Sequence, residues 1–397
     1  MYKLSRFSRN IINNEQIILC NTSTGSYIKT KKKYFDCIKN ILEESTGDKI
    51  LYKKLKESKL EKLFTNLVDI EYYVELTKIE ENKLNIVYIA ITNRCNLNCI
   101  HCTAKSNINE IDTLSLKEIY AIIDQICDVN PRIINITGGE PLIRKDILQI
   151  LNYIRNKYSG YIVLSTNGIL INKNNIDFII SNVDEVSISL DGYNQESVEK
   201  IRGKGVYAKV IDTIELLHKK DFNKVSLSML SSKYTENNDD EFRKLCCSLK
   251  VHPIIHRFTP NGRGAQNIDK IFTEKVYLEN NVRKAYPKLC FPGEKELFID
   301  KNGDVYPCGN LADNKNLKMG NILECEIKEI MDEWNINKSI ENFRPWRNEK
   351  CKDCKVNLFC HSCISNIINL QENDKFFQIM CSITYKRLYE IIWKGGE

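Results

Sequence analysis

The sequence predicts an α/β fold: a partial (β/α)6 TIM-type barrel with a small sheet-and-helix domain before it and a cysteine-rich domain after it. Three observations carry this. Strand-like and helix-like patterns alternate from residue 84 to about 260, which is the signature of a parallel sheet with crossover helices. The polar motifs of that stretch fall at the C-terminal ends of strand candidates, where a barrel builds its site. The 16 cysteines of the 397 residues fall in spaced groups.

The N-terminal stretch, residues 1–83, has no metal-ligand pattern. Short apolar segments at Ile11-Ile12, Ile17-Ile18-Leu19 and Ser26-Tyr27-Ile28, broken by Asn, Thr and Gly25, predict a hairpin or three-stranded sheet. From Tyr34 the spacing turns helical: Phe35, Ile38, Ile41 and Leu42 share a face that Leu51, Leu55, Leu60, Leu63, Phe64 and Leu67 continue. A small sheet followed by helices looks like a winged helix-turn-helix module; a plain N-terminal cap is the other reading. Cys20 and Cys37 read as small core residues.

The barrel strands are predicted at Ile86 to Thr92, Ile133 to Thr137, Tyr161 to Ser165, Glu185 to Leu190, Lys224 to Leu230 and Ile254 to Phe258. Ser115 with Glu118 three residues on forms a capping box that opens a helix running to Val129. Cys127, Cys246 and Cys247 lie on helical stretches with no partner at ligand spacing and read as packing. His218, His252 and His256 read as ordinary surface or core histidines.

The chemistry begins directly after the first strand, at Thr92-Asn93-Arg94-Cys95-Asn96-Leu97-Asn98-Cys99-Ile100-His101-Cys102. Three thiolates on one short loop suit iron–sulfur or zinc. Three ligands leave one metal position open, a defect in a structural zinc site and an asset in a catalytic one. Gly138-Gly139-Glu140-Pro141 closes the next strand.

With those two motifs the chain resembles the radical S-adenosylmethionine (radical SAM) superfamily. The resemblance implies that Cys95, Cys99 and Cys102 hold a 4Fe–4S cluster whose open iron is chelated by S-adenosyl-L-methionine. It further implies that His101 packs on the adenine, and that Gly138, Gly139, Glu140 and Pro141 meet the methionine amino group. Ser165 and Asn167 in Ser165-Thr166-Asn167-Gly168, and Ser189 and Asp191 in Ser187-Ile188-Ser189-Leu190-Asp191-Gly192, would meet the ribose and carboxylate. Arg202 would join Ser189 at the carboxylate, since a guanidinium forks onto one. The implied chemistry is hydrogen abstraction by a 5′-deoxyadenosyl radical.

The C-terminal cysteines are denser: Cys290, then Gly303 and Cys308, then Cys351-x2-Cys354-x5-Cys360-x2-Cys363, and Cys381. Two close Cys-x-x-Cys pairs point to metal, with two structural zinc sites as the plain alternative. Together with Asp300 to Cys308, Met319-Gly320-Asn321-Ile322 and Thr259-Pro260-Asn261-Gly262-Arg263-Gly264, their order resembles the SPASM domain of radical SAM enzymes that modify peptides. That resemblance implies two auxiliary 4Fe–4S clusters, making three in all: an outer one on Cys351, Cys354, Cys360 and Cys381, and an inner one on Cys290, Cys308 and Cys363. The two-residue gap before Cys363 departs from the family's more usual three, and no cysteine lies in 262–289, so the inner cluster would keep an open iron or take a ligand such as Cys325. The domains so implied are a winged-helix-like leader-peptide recognition domain at 1–83, the radical SAM partial barrel at 84–265, a bridge at 266–289 and a SPASM domain at 290–397.

The function implied is post-translational modification of a ribosomally synthesised peptide, with a Cys thioether crosslink (sulfur to carbon) as the leading product. Carbon–carbon or other crosslinking and formylglycine formation on a sulfatase are the alternatives; an iron–sulfur carrier would have no use for Gly138 to Pro141. The partners implied are a peptide substrate with a leader sequence and an electron donor such as flavodoxin or ferredoxin. With 58 Lys+Arg against 52 Asp+Glu, the positive excess is too small and dispersed for nucleic acid. No signal peptide and no run of 18 apolar residues is found, so no membrane span is expected and a cytoplasmic, thiol-reducing location is.

Overall fold

The computed structural model describes residues 1–77, 84–236, 238–273, 285–337, 340, 343–344, 346–360, 363–371 and 374–395. It divides into two compact units: Lys83–Glu279 with Pro292–Ser339, and Met1–Asn82 with Asn280–Phe291 and Ile340–Glu397. The cysteine-rich C-terminal region is therefore shared between the units.

In the smaller unit, β1 (Tyr2–Leu4) pairs with β5 (Tyr73–Glu75). Strands β2 (Ser8–Asn13), β3 (Gln16–Asn21) and β4 (Ser26–Lys31) form an antiparallel sheet in that order. Helices Lys32–Glu44, Asp48–Glu57 and Glu61–Asp69 follow. The run Ile17 to Cys20 is apolar at every position because the central strand is covered on both faces. Ile17 and Leu19 join Ile38, Leu55 and Phe64, whereas Ile18 and Cys20 join Val356, Phe359, Leu388 and Trp393. The helical face anticipated from Phe35 to Leu67 is the one that packs, with Phe35, Leu42 and Leu63 only partly covered. Cys20 is fully buried, as its reading as a core residue requires.

In the larger unit, β6 (Ile86–Ala90), β7 (Ile133–Thr137), β8 (Tyr161–Thr166), β9 (Glu185–Ser189), β10 (Val225–Ser231) and β11 (His252–Arg257) run parallel as consecutive neighbours. This is the partial (β/α)6 barrel with its crossover helices. The strand residues alternate by chemistry. Val87, Ile89, Ile134, Ile136, Leu164 and Ile188 point to the helices and are fully buried. The opposite face carries Tyr88, Asn135, Ser165, Ser187, Ser189 and Ser228, polar groups set among apolar residues such as Val163 and Leu230. The helix Leu116–Val129 starts at the anticipated capping box, with Ser115 and Glu118 bonded reciprocally. Strand β6 stops at Ala90, two residues before the anticipated Thr92, because Thr92 to Arg94 leave the ladder to bond elsewhere.

The sheet does not end with the barrel. Strand β12 (Glu296–Ile299) adds parallel to β6, and β13 (Asp304–Tyr306) and β14 (Gly320–Asn321) continue antiparallel, giving nine strands. Gly303, at φ +81, makes the β12–β13 turn, where Asp300 Oδ1 accepts from Asn302 N and Asp304 N. Cys246 is buried in the barrel core and Cys127 packs against it, but Cys247 is exposed, a correction to its reading as packing: on the same helix it faces away from the core that covers its neighbour. No helix among the described residues is long and apolar enough to cross a membrane.

Phe64 is fully buried, with the rings of Tyr2 at 5.1 Å and Tyr73 at 5.7 Å. Phe64→Ala should cost about 3–5 kcal/mol, read as an earlier urea transition of the smaller unit.

Candidate functional site

The cysteine loop is held by backbone contact with the Gly138–Glu140 turn. Gly139 N donates to Thr92 O and Glu140 N to Arg94 O, both at 2.8 Å. A Cβ on Gly138 would collide with Thr92 O and one on Gly139 with Arg94 O, so the two chains approach only because both residues lack one. Gly138 is also at φ +148. Arg94 N donates to Thr92 Oγ1, whose hydroxyl bonds Asp112; the Arg94 guanidinium reaches the same carboxylate at 3.5 Å. Cys95 N donates to Asn107 O at 3.0 Å and Ile100 N to Ile201 O at 3.1 Å.

The three thiols so positioned lie within electrostatic reach of one another. Burial pushes the Cys95 thiol up to about 11, with Glu140, Cys99 and Cys102 adding to the rise. Burial also raises Cys99, against the pull of the Arg202 guanidinium. A thiol that resists ionisation alone but has two thiol neighbours suits a site that ionises when metal arrives. Soft thiolate donors of this number fit an iron–sulfur cluster. Among the described residues no group of three or more His, Cys, Asp or Glu surrounds a single-ion position. A cluster gives each thiolate its own iron and does not require one.

Glu140 is fully buried. Its carboxylate accepts from Leu142 N at 3.0 Å, Thr166 Oγ1 at 2.8 Å and Asn167 N at 2.7 Å. Burial nevertheless wins, and the carboxyl is raised above its ordinary range. Asn167 Nδ2 donates to Asn96 Oδ1 in the cysteine loop at 2.8 Å, and Ser165 Oγ to Asn135 Oδ1 at 2.8 Å. Pro141 is buried at the first position of the short turn Pro141–Ile143.

A second cluster of charges sits across the loop. Asp191 Oδ2 takes Arg202 Nε at 2.7 Å and Nη2 at 2.6 Å, and His101 Nε2 lies 3.0 Å away. Its Oδ1 accepts from Leu230 N at 2.7 Å. Burial alone would raise this carboxyl, but Arg202 and His101 hold it well below the usual carboxylate range. Asp191 reaches the position from a left-handed backbone, φ +61. His101 Nδ1 is buried with no hydrogen-bond partner among the described residues, a donor or acceptor left for a bound molecule. Ser189 stands at the end of β9 opposite Ser228.

The remaining candidates divide by unit. Cys308 is bonded to Glu296 in the barrel unit. Cys290, whose carbonyl takes Arg344 Nη1 at 2.6 Å, and Cys363 belong to the smaller unit. There Cys351, Cys354, Cys360 and Cys381 gather: burial pushes Cys360 well above its ordinary value, and the other three thiols add to the rise. Cys325 is exposed.

Two residues that pattern reading passed over prove central. Arg144 is buried and gives Nη1 to Ile91 O and Leu114 O while pairing with Asp146. Arg263, read only as part of a connecting motif, gives Nε to Cys99 O at 3.0 Å and Nη2 to Ser106 O at 2.8 Å, and its N–H to Cys102 O at 2.9 Å. The glycines flanking Arg263 were the available signal.

Residues 89–246 match the radical SAM superfamily and residues 290–355 the iron–sulfur cluster-binding SPASM domain. The chain is 29% identical over 260 residues to the mycofactocin maturase MftC of Mycolicibacterium smegmatis, covering 59% of this chain and 66% of that one. It is 27% identical over 305 residues to the antilisterial bacteriocin subtilosin biosynthesis protein AlbA of Bacillus subtilis, covering 70% and 67%. The chain thus spans about two thirds of the length of these relatives. The crystal structure of Streptococcus suis SuiB bound to its precursor peptide SuiA superposes with a TM-score of 0.55 at 16% identity, over 93% of this chain and 97% of that one. The anSMEcpe structure with bound AdoMet gives 0.55 at 17% identity, over 78% and 99%. At these identities the two structures speak for the fold.

Asp191→Asn would leave the buried Arg202 without its counter-charge and should cost about 3–5 kcal/mol, measured by chemical denaturation. Gly139→Ala should cut reconstituted iron per chain at the first site, measured by iron analysis.

Proposed function

We propose that this chain, a member of the radical SAM superfamily that carries a SPASM domain, is an enzyme that modifies a ribosomally made peptide, forming a thioether between a cysteine sulfur and a carbon of the same peptide. The observation that carries the reading is the convergence of three thiols, a buried carboxylate and a buried His–Asp–Arg group at the C-terminal end of a parallel sheet with a polar inner face. The likeness to MftC and AlbA supports a peptide as substrate, and SuiB, solved with its precursor peptide, shares the fold over nearly the whole chain.

When bound, a reduced 4Fe–4S cluster with S-adenosylmethionine would supply a carbon radical able to take hydrogen from an unactivated carbon. Cys95, Cys99 and Cys102 would hold that cluster. Glu140 would meet the methionine amino group on the Gly138–Pro141 turn, with Ser165 and Asn167 toward the ribose. Asp191, which pairs with His101 and Arg202, would hold His101 toward the adenine and keep the Arg202 guanidinium in place, with Arg202 and Ser189 toward the carboxylate. Cys351, Cys354, Cys360 and Cys381 would hold an outer auxiliary cluster. Residues 1–83 would receive the leader of the peptide, and an external reductant such as flavodoxin or ferredoxin would supply electrons.

Replacing Cys95, Cys99 and Cys102 with Ala should abolish 5′-deoxyadenosine formation; retained formation would overturn the assignment. Anaerobic coexpression with a small cysteine-containing peptide should give a product lighter by two hydrogens per crosslink with a cysteine that no longer alkylates. Mass spectrometry showing the same loss with every cysteine free would replace the thioether by another crosslink.

A further inference from the structure

The barrel unit contains two ligand-bearing stretches that are far apart in sequence: the loop 92–107 with its three cysteines, and the segment around Cys308. Residues 261–263 touch both. Toward the loop, Arg263 spends its backbone N–H, Nε and Nη2 on the carbonyls of Cys102, Cys99 and Ser106, and Asn267 Nδ2 adds Ile100 O at 3.2 Å. Gly262 sits at φ +56, where a Cβ would collide with Thr103 O. Toward the hairpin, Gly262 N donates to Asp313 Oδ2 at 2.8 Å and Asn261 Nδ2 to Asn310 O at 2.7 Å. Asn310 and Asp313 lie in a turn that starts at Cys308 itself, whose carbonyl accepts from Leu311 N at 3.1 Å. A second tie closes the ring: Lys301 Nζ pairs with Glu110 at 2.7 Å, and Thr113 Oγ1 donates to Lys301 O.

We propose that Arg263 and Asp313 are positioning residues that lock the Cys95–Cys102 loop to the segment following Cys308, so that the two stretches keep one separation during turnover. Two of the three loop carbonyls bonded by Arg263 belong to Cys99 and Cys102 themselves and the third to Ser106, four residues on, and an arginine with three separate acceptors cannot shift without breaking several bonds at once. Asp313 does the same from the other side through a backbone N–H that only a glycine can present there. The consequence for catalysis rests on the proposed function; the mechanical lock does not.

The test uses the full-length chain, metal-free, by hydrogen exchange. Asp313→Ala should raise exchange about tenfold, the equivalent of one or two lost hydrogen bonds, in peptides covering 95–106 as well as in 308–314. Asp313→Asn, whose amide oxygen still accepts Gly262 N–H, should stay near the parent. Exchange changes confined to 308–314 would overturn the proposal. If Asp313→Ala does not fold, Asn261→Ala serves for the same comparison, with the same two outcomes. In the loaded enzyme, Arg263→Lys should raise 5′-deoxyadenosine formed per peptide modified; an unchanged ratio would remove the catalytic consequence and leave the lock. Parent protein that makes no 5′-deoxyadenosine would count against the proposed function alone.

Discussion

The close approach of Thr92–Arg94 to Gly138–Glu140 is the constraint on which the site depends. Two backbone hydrogen bonds at 2.8 Å across a gap that admits no Cβ decide where the cysteine loop leaves β6 and where its thiols end. The same turn delivers Glu140 into the interior, where three donors from Leu142, Thr166 and Asn167 wrap it. Pairing between adjacent strand ends is thereby turned into an assembled site, because consecutive parallel strands place their C-terminal turns side by side.

Around that contact the protein spends polar groups where a core would be apolar. The helix-facing side of the sheet is Ile, Leu and Val with Met229, and it holds the barrel by burial. The inner face is released from that duty and carries Ser, Asn and Tyr. The His101–Asp191–Arg202 group shows the cost of this arrangement: a buried carboxylate survives only because a guanidinium and an imidazole share it.

The division into units cuts across the order of the chain. Strands β12 to β14 extend the barrel sheet through a parallel pairing with β6. The Cys351–Cys381 stretch instead shares a hydrophobic cluster with the N-terminal sheet, whose central strand is apolar from Ile17 to Cys20 for that reason. A continuous apolar run such as Ile17 to Cys20 does not say what covers its second face, and here it is chain more than 300 residues away.

Local pattern was enough for the alternating strands, the Ser115 capping box and the spacing of Cys95, Cys99 and Cys102, since each is written within one turn or strand. The radical SAM and SPASM resemblance was legible in the same short motifs. Position in space was not. That Arg263 holds the cysteine loop, that Arg144 braces Ile91 and Leu114, and that His101 meets the Asp191 carboxylate follow from contacts between segments tens to hundreds of residues apart. Residue type and periodicity encode which face is buried and which turn forms. Which carbonyl an arginine meets is decided only when the sheet closes and distant loops share one rim.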